Sequence, residues 1–296
     1  MTRHRFTIVG IGEVLWDDFP DGRRLGGAPC NFAYHAGRLG CEAIVVSAVG
    51  NDSRGRDILN LLPRLGIHTE YVQMNDYPTG RVTVKLDASG VPQYVIHQHA
   101  AWDYISWESG LEALAKRSNA ICFGSLAQRC SRSSATITSF LEMADGKCLK
   151  VFDVNLRQAY YQKKTIVRSL EKAGILKLNE EELPVVAGML GYTGKVERLL
   201  ESLMKDFELK LIAYTKGAKG SVLMTCDKLS RMDAPETAVV DTVGAGDAFT
   251  AMLVAGLLEN RDLSAIHAAA VRLAAFVCAN KGATPDIPKE LLTFDQ

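Results

Sequence analysis

The stretch Asp241-Thr242-Val243-Gly244-Ala245-Gly246-Asp247 joins an extended apolar segment, 238–240, to a proline-free apolar run, 249–258. We interpret it as a strand, a glycine turn and the start of a helix. Two glycines around Ala245 allow a tight turn and leave backbone N–H groups free at a helix N-terminus, where they can bind an anion. The sequence therefore predicts an anion site at residues 244–246.

Asp247 would lie in the first turn of that helix. A carboxylate there gains about 0.3–1 kcal/mol from the helix dipole, so one interpretation is a purely structural acid. The other places the carboxylate beside a bound phosphate, where it can take a proton from a hydroxyl nucleophile. The spacing alone does not separate the two, because short glycine motifs are common.

Composition and charge limit the function classes. The chain has 296 residues, with 34 basic and 34 acidic side chains, and its net charge of zero gives no reason to expect nucleic acid or an anionic membrane as partner. No apolar run approaches the ~20 residues that span a bilayer, and the polar N-terminus predicts no signal peptide. The seven cysteines are odd in number and lack a Cys-x-x-Cys pair. We expect small buried thiols in a reducing compartment, the cytoplasm.

Strands and helices alternate along most of the chain. The predicted strands are 6–11, 43–49, 120–123, 149–153, 175–178, 210–215 and 221–224. The predicted helices are 31–39, 54–65, 109–118, 134–144, 165–173, 180–187, 195–207, 248–258 and 263–279. This alternation predicts an α/β fold with a mainly parallel central sheet and helices on both faces.

One region interrupts the alternation. From Arg81 to Asp87 apolar and polar residues alternate, Ala88-Ser89-Gly90 can turn the chain, and 94–98 runs back. A hairpin with no helix between its strands is marginally stable alone. We predict a small antiparallel flap that projects from the main sheet.

Polar residues at the ends of the strands indicate the ligand site, since ligands of open α/β sheets bind beyond the carboxyl ends of the strands. These residues are Asp17, Gly124, Ser125, Asp153, Asn155, Arg157, Asn179, Glu182, Thr215, Lys216, Gly217 and 241–247. Acids and amides beside an anion site suit a nucleotide with a divalent ion such as Mg²⁺. The P-loop pattern is absent and the dinucleotide fingerprint is incomplete, so neither of those enzyme classes is expected.

Four motifs together resemble the ribokinase-like (PfkB) carbohydrate kinases, and among them bacterial fructokinases. The motifs are Gly26-Gly27-Ala28-Pro29-x-Asn31, Asn179-x-x-Glu182, Thr215-x-Gly217 and Asp241 to Asp247. They occur in the family's order across nearly the whole chain. The resemblance implies a single three-layer α/β/α sandwich with a β-sheet lid, formed from segments of about 12–32 and 69–104.

The resemblance also implies roles for individual residues. Asp247 resembles the base that deprotonates the sugar's terminal hydroxyl, and the N–H groups of Gly244, Ala245 and Gly246 resemble the anion hole for the transferred phosphoryl group. The residues implied to hold the sugar are Asp17, Gly26, Gly27, Asn31, Gln98 and Asp103. The residues implied to hold the nucleotide are Arg157, Asn179, Thr215, Lys216, Gly217 and Asn280.

The family pattern implies cofactors and a partner. ATP is the expected phosphoryl donor, with Mg²⁺ held through water by Asn179 and Glu182. A monovalent cation, K⁺, is implied at Asp241, Val243 and Gly282. Half-apolar lid strands often cover their exposed face with a second copy, so we expect a homodimer through the lid.

The sugar is expected to be neutral, because a glutamine, Gln98, stands near the point where kinases for acidic sugars need an arginine. Fructose phosphorylated at its 6-hydroxyl is the leading hypothesis, and the alternatives are 2-keto-3-deoxygluconate, ribose or a nucleoside. A non-catalytic sugar-binding regulatory module and a structural protein are further alternatives.

Several of these residues have simple structural interpretations as well. Asp17 could cap a turn, Asn31 could be a helix N-cap, and Arg157 could pair with Asp153. Glu182 could be a solvated acid of a first turn, and Lys216 could point to solvent. His267 is expected to be a core histidine with satisfied hydrogen bonds, and His97-x-His99 is not expected to bind metal.

Overall fold

A ten-stranded sheet lies at the centre of the computed structural model, which describes residues 6–86 and 92–294. The strands of both sheets are β1 Thr7–Ile11, β2 Leu15–Phe19, β3 Gly22–Gly26, β4 Glu42–Gly50, β5 Ile67–His68, β6 Val72–Asn75, β7 Gly80–Leu86, β8 Pro92–Ile96, β9 Ala120–Phe123, β10 Leu149–Asp153, β11 Ile175–Asn179, β12 Leu211–Thr215, β13 Ser221–Met224 and β14 Leu229–Met232. The central sheet has the order β14-β13-β12-β11-β10-β9-β1-β4-β5, and β6 also pairs with β4. Its pairs are parallel except at the β12-β13-β14 edge.

Helices cover both faces of this sheet. They are α1 Ala28–Arg38, α2 Ser53–Leu61, α3 Leu111–Arg117, α4 Ser131–Met143, α5 Lys163–Lys172, α6 Glu182–Leu190, α7 Val196–Asp206, α8 Ala245–Leu258 and α9 Leu263–Cys278. Helices α1, α2, α8 and α9 pack on one face and α3 to α7 on the other, each with its own apolar core. The predicted three-layer α/β/α sandwich is confirmed.

A separate four-stranded sheet with the order β3-β2-β7-β8 forms the lid. The predicted hairpin is present as β7 and β8, and its turn at 88–90 lies outside the described residues. The predicted antiparallel flap is confirmed for β7 and β8, and the lid also contains β2, which pairs with β7 in parallel. Two separate segments supply the lid, and only neighbours within a segment can be joined by a tight turn.

The prediction of a strand at 238–240 is wrong. The segment has no regular secondary structure, and the N–H groups of Val240 and Asp241 donate to the carbonyl of Cys278 at the end of α9. With Val239 64% exposed, the apolar run lies on the surface and does not pair in the sheet. Strands β2, β3, β5, β6 and β14 were not predicted.

Close packing of β1 against α1 brings two functional motifs to the same sheet edge. A Cβ on Gly10 would lie 2.0 Å from the carbonyl oxygen of Pro29, so only glycine permits this approach. Helix α8 packs beside α1 and is buried from Ala248 to Gly256, which explains its uniformly apolar sequence. The N-termini of both helices therefore open at the carboxyl ends of the strands.

The seven cysteines are all free thiols. Cys30, Cys41 and Cys122 are buried as predicted, whereas Cys226 is exposed and contradicts the prediction. Within 6–86 and 92–294, no helix has the length and apolar character needed to cross a lipid bilayer.

Candidate active site

Asn31 and Asp247 connect the two ends of the chain at the candidate site. The amide Nδ2 of Asn31 donates to Oδ2 of Asp247 at 2.9 Å, across 216 residues of sequence. Asn31 lies inside α1, whose N-cap is Gly27, so the N-cap interpretation of Asn31 is wrong. The amide instead orients the carboxylate at the start of α8.

Asp247 is partly buried, and its environment favours a base that is ionised at neutral pH. Burial raises the pKa of Asp247 to about 6, and the negative charge of Asp153 adds to the rise. The positive charges of Lys177 and Arg157 and the hydrogen bond from Asn31 oppose it. A carboxylate with this pKa can accept a proton from an alcohol at neutral pH.

The predicted anion site lies at the N-terminus of α8. Gly244 has a φ of +81°, and a Cβ there would lie 2.6 Å from Cα of Ala283. In the described part of the chain no side chain caps this helix end. Gly244 is thus required both by its backbone conformation and by the neighbouring chain. Among the predicted anion-binding groups, the N–H of Ala245 makes a long bond of 3.4 Å to the carbonyl of Thr242.

A buried lysine lies directly beneath this anion site. Nζ of Lys177 donates to Oδ1 of Asp153 at 2.9 Å, and a Cβ on Gly246 would lie only 2.8 Å from Nζ. Burial alone would lower the pKa of Lys177, but the carboxylates of Asp153, Glu182 and Asp247 outweigh it and raise the pKa. A permanent positive charge therefore supports the anion site from below.

The N-terminal glycine loop packs against two acids. A Cβ on Gly26 would lie 2.2 Å from Oδ2 of Asp17, and Gly27 has a φ of +108°. Asp17 lies in strand β2, so it does not cap a turn. Burial raises the pKa of Asp17 to about 6, and Arg157 opposes the rise.

Glu13 is the second acid beside this loop and is 2% exposed. Burial raises its pKa to about 7, with Asp247 adding to the rise and Arg157 and the backbone N–H of Ala28 opposing it. Its Oε2 has no hydrogen-bond partner among the described residues. Glu13 is therefore a buried acid with a raised pKa beside the start of α1.

Arg157 follows β10 and lies at the open side of the site. Its side chain is exposed, and its charge acts on Asp17, Glu13 and Asp247. It does not pair with Asp153, which is bound by a lysine, so that structural interpretation is wrong. An exposed arginine whose charge acts on several acids suits an anionic ligand.

Gln98 and Asp103 lie where the lid joins the main body. Gln98 is exposed and donates to the hydroxyl of Tyr160. Both oxygens of Asp103 accept from Arg129, at 2.7 and 2.8 Å, and the acid is 3% exposed. This geometry favours a structural role for Asp103 over the predicted sugar contact.

Asn179 and Glu182 form a reciprocal cap at the start of α6. Oδ1 of Asn179 accepts the N–H of Glu182, and Oε2 of Glu182 accepts the N–H of Asn179. The other oxygen, Oε1, accepts the N–H of Leu156. Glu182 is buried, which raises its pKa, so the interpretation as a solvated acid is wrong.

The remaining predicted nucleotide residues lie near the ends of β12 and α9. Thr215 ends β12, Lys216 donates its N–H to Gly220, and Gly217 has a φ of +53°. Asn280 follows α9 and donates its amide to a helix carbonyl.

The predicted cation residues are joined through the carboxylate of Asp241. Oδ1 of Asp241 accepts the N–H of Val243 and Oδ2 accepts the N–H of Gly282, both at 3.0 Å. Asp286 pairs with Arg38 and takes no part in these bonds. Within the described ranges no group of three or more His, Cys, Asp or Glu side chains is arranged to hold a metal.

The prediction for His267 is confirmed. Its two ring nitrogens bond the hydroxyls of Ser221 and Ser230, both at 2.8 Å, and burial lowers its pKa to about 4. His97 bonds the hydroxyl of Thr83.

Sequence reasoning missed the roles of Lys177, Glu13 and Arg129. Lys177 carried a signal, because a lysine inside an apolar strand of a doubly covered sheet needs a buried counter-charge. Arg129 lies 26 residues from Asp103 in sequence and carried no comparable signal.

The chain is similar to known proteins over most of its length. The family model described as pfkB family carbohydrate kinase matches residues 21–290. The chain is 29% identical to a fructokinase of Escherichia coli, covering 94% of this chain and 95% of that protein. It is 26% identical to an ATP-dependent 6-phosphofructokinase of Thermoanaerobacterium thermosaccharolyticum, covering 96% and 91%. A sugar kinase of Pyrococcus horikoshii, solved in complex with ATP, superposes with a TM-score of 0.79 at 27% identity and 94% coverage of both chains.

Proposed function

The chain belongs to the pfkB family of carbohydrate kinases, and on that premise we propose that it transfers the γ-phosphoryl group of ATP to the 6-hydroxyl of fructose. The observation that carries the proposal is the hydrogen bond between Asn31 and Asp247. It joins the N-terminal glycine loop at Gly26 and Gly27, called the sugar loop from here on, to the acid at the anion site. Relatives named fructokinase and the absence of an arginine at position 98 support a neutral ketose.

In the proposed mechanism Asp247 takes the proton of the attacking hydroxyl. The side chains of Asp17 and Asn31 and the backbone at Gly26 and Gly27 hold the other hydroxyls. The N–H groups of Gly244, Ala245 and Gly246 stabilise the charge that develops on the transferred group. Because the donors are fixed before reaction, little reorganisation is needed when the phosphoryl group moves.

The nucleotide is proposed to lie along Arg157, Asn179, Thr215-Lys216-Gly217 and Asn280. Each oxygen of Glu182 accepts one backbone N–H and keeps a second lone pair, which fits contact with hydrated Mg²⁺ and not a dense cage. When bound with ATP, Mg²⁺ would neutralise phosphate charge. K⁺ is proposed beside Asp241, with carbonyl oxygens of Val243 and Gly282.

The decisive experiment is a sugar panel with Mg-ATP, with and without potassium. The panel contains fructose, ribose, 2-keto-3-deoxygluconate, a nucleoside and fructose 6-phosphate, and the product is identified by NMR. Fructose 6-phosphate is included because the Thermoanaerobacterium relative is named a 6-phosphofructokinase. We expect fructose to have the highest kcat/KM, and a higher value for any other sugar overturns the choice of substrate.

Two measurements distinguish the proposed kinase from a non-catalytic regulatory module and from a structural protein. ATP raises the Tm of a nucleotide-binding protein, whereas a purely structural protein shows no shift. A regulatory module shows the shift but no sugar-dependent ADP formation.

The lid is also the proposed dimer contact, in the cytoplasm. Along its strands Val82 and Ile96 are buried while Val95 is 44% exposed, so the outer face keeps apolar surface for a second copy. Light scattering tests this, and a dimer that persists after Val95→Lys would place the contact elsewhere.

A further inference from the structure

Helix α1 holds the C-terminal loop, defined here as residues 280–288. The hydroxyl of Tyr34 donates to the carbonyl of Pro285 at 2.7 Å, and Arg38 pairs with Asp286 at 2.8 Å. Between them, Nε2 of His35 bonds the carbonyl oxygen of Ala283 at 2.9 Å. The helix that begins at the sugar loop therefore also fixes the chain beside the anion site.

His35 makes this bond in one protonation state. A carbonyl only accepts, so the proton lies on Nε2, and Nδ1 has no partner among the described residues. The ring is 0% exposed, and burial lowers its pKa to about 4. The neutral ring therefore donates to Ala283 throughout the ordinary pH range.

Ala283 in turn determines where Gly244 lies. A Cβ on Gly244 would lie 2.6 Å from both Cα and Cβ of Ala283 and 2.8 Å from its oxygen. The preceding residue, Gly282, donates its N–H to Asp241 at 3.0 Å. A displacement of Ala283 would therefore move the N-cap of α8, and with it the N–H groups of the anion site.

We propose that His35 is a positioning residue for phosphoryl transfer, which acts through Ala283 to hold the Gly244 turn in register with Asn31. Asn31 and His35 belong to the same helix, α1, so the bond from His35 to Ala283 ties the turn at Gly244 to the helix that carries Asn31. The inference rests on the proposed function, since the turn is the site of phosphoryl transfer only if the chain is the kinase described above.

Glutamine and methionine provide a matched pair of replacements, because they have similar length and shape but only glutamine has an N–H donor. His35→Met removes the bond to Ala283, and His35→Gln restores it. We expect kcat to fall about 10–100-fold in His35→Met, because small misplacements of reacting groups have effects of that size. The KM for sugar stays within about twofold, since Asn31 keeps its contacts, and His35→Gln recovers most of the kcat.

Tyr34→Phe is the control, because it removes a hydrogen bond to the same loop at Pro285, away from Gly244. A purely structural role would lower Tm in all variants without a selective loss of kcat. Equal kcat in His35→Met and His35→Gln overturns the inference. Hydrogen–deuterium exchange of residues 241–247 reports the displacement without turnover, and unchanged protection in a folded or partly destabilised His35→Met also overturns it. Absence of sugar-dependent ADP formation in the wild type would instead overturn the proposed function, and this role with it.

Discussion

Two buried ion pairs, one beside the anion site and one where the lid joins the main body, have the same chemistry but different surroundings. Lys177–Asp153 and Arg129–Asp103 join at 2.9 and 2.7 Å, and all four side chains are at most 10% exposed. The ammonium of the lysine lies 2.8 Å from the point that a Cβ on Gly246 would occupy, beside the anion site. The arginine lies between the rings of Trp102 and Tyr160 and also donates to a lid carbonyl.

This difference shows that burial and pairing alone do not identify a functional charge. Lysine is a point charge that acts on whatever anion approaches it, whereas the planar guanidinium stacks and bonds in fixed directions. We therefore propose that Lys177 stabilises the charge of the transferred phosphoryl group and that Arg129 attaches the lid to the main body. The following variants test that assignment.

Asp247→Asn should have the largest effect on kcat, because it removes the proposed base. It leaves both ion pairs intact. We expect kcat to fall by about 10²–10⁴, the usual contribution of a general base. Burial raises the pKa of Asp247 above its unfolded value, so ionisation destabilises the fold as pH rises towards 6. The Asn variant should therefore be at least as stable as the wild type at pH 7.5, which a melting curve checks. Full turnover in this variant would show that the base is another group.

Lys177→Met tests the pair at the anion site. It leaves Asp153 buried without its counter-charge, and we expect a loss of about 3–5 kcal/mol of unfolding free energy and of about 10²–10³ in kcat. The double variant Lys177→Met with Asp153→Leu should recover Tm but not kcat, as denaturation and steady-state assays will show. Recovery of both would make the lysine purely structural.

Arg129→Met tests the pair at the lid. The stability loss should again be about 3–5 kcal/mol, but the effect on catalysis should appear mainly as a higher KM for sugar. Arg129→Met with Asp103→Leu should recover Tm and most of the activity. A loss of kcat that persists in this double variant, as large as that of Lys177→Met, would contradict the assignment.

The pH profile gives the smallest effect. Because Asp247 must be ionised to act as a base, kcat/KM should fall as pH drops through about 6. Asn31→Leu removes a hydrogen bond that favours the charged form, so the acid limb should move to higher pH. A limb that stays in place, or moves to lower pH, would mean that it reports a different group.

The sequence predicted the layers of the fold and the glycine turn because local signals specify them. Alternating strands and helices, and Gly244 before an apolar helix, can be recognised within ten to fifteen residues. The sequence did not show that 238–240 lies along the end of α9. The hydrophobic pattern of a short apolar run is the same on the surface as in a sheet.

The site residues also divide into those that a local motif specifies and those that depend on contacts between distant parts of the chain. Asp247 and Gly27 were predicted from motifs, whereas the contact of Asn31 with Asp247 depends on the packing of α1 beside α8. Arg129 depends on where the lid joins the body, which no local pattern specifies. Long-range contacts between charged groups are therefore what sequence reasoning left out.

Gly246 differs from Gly244 in why a glycine is needed there. Its backbone torsion is not in the left-handed region, and the place of its missing side chain is taken by the ammonium of Lys177, which a buried aspartate restrains. Across related sequences, positions 177 and 246 should therefore covary. An alanine at 246 should be tolerated only where the residue at 177 has become shorter, so each position carries information about the other.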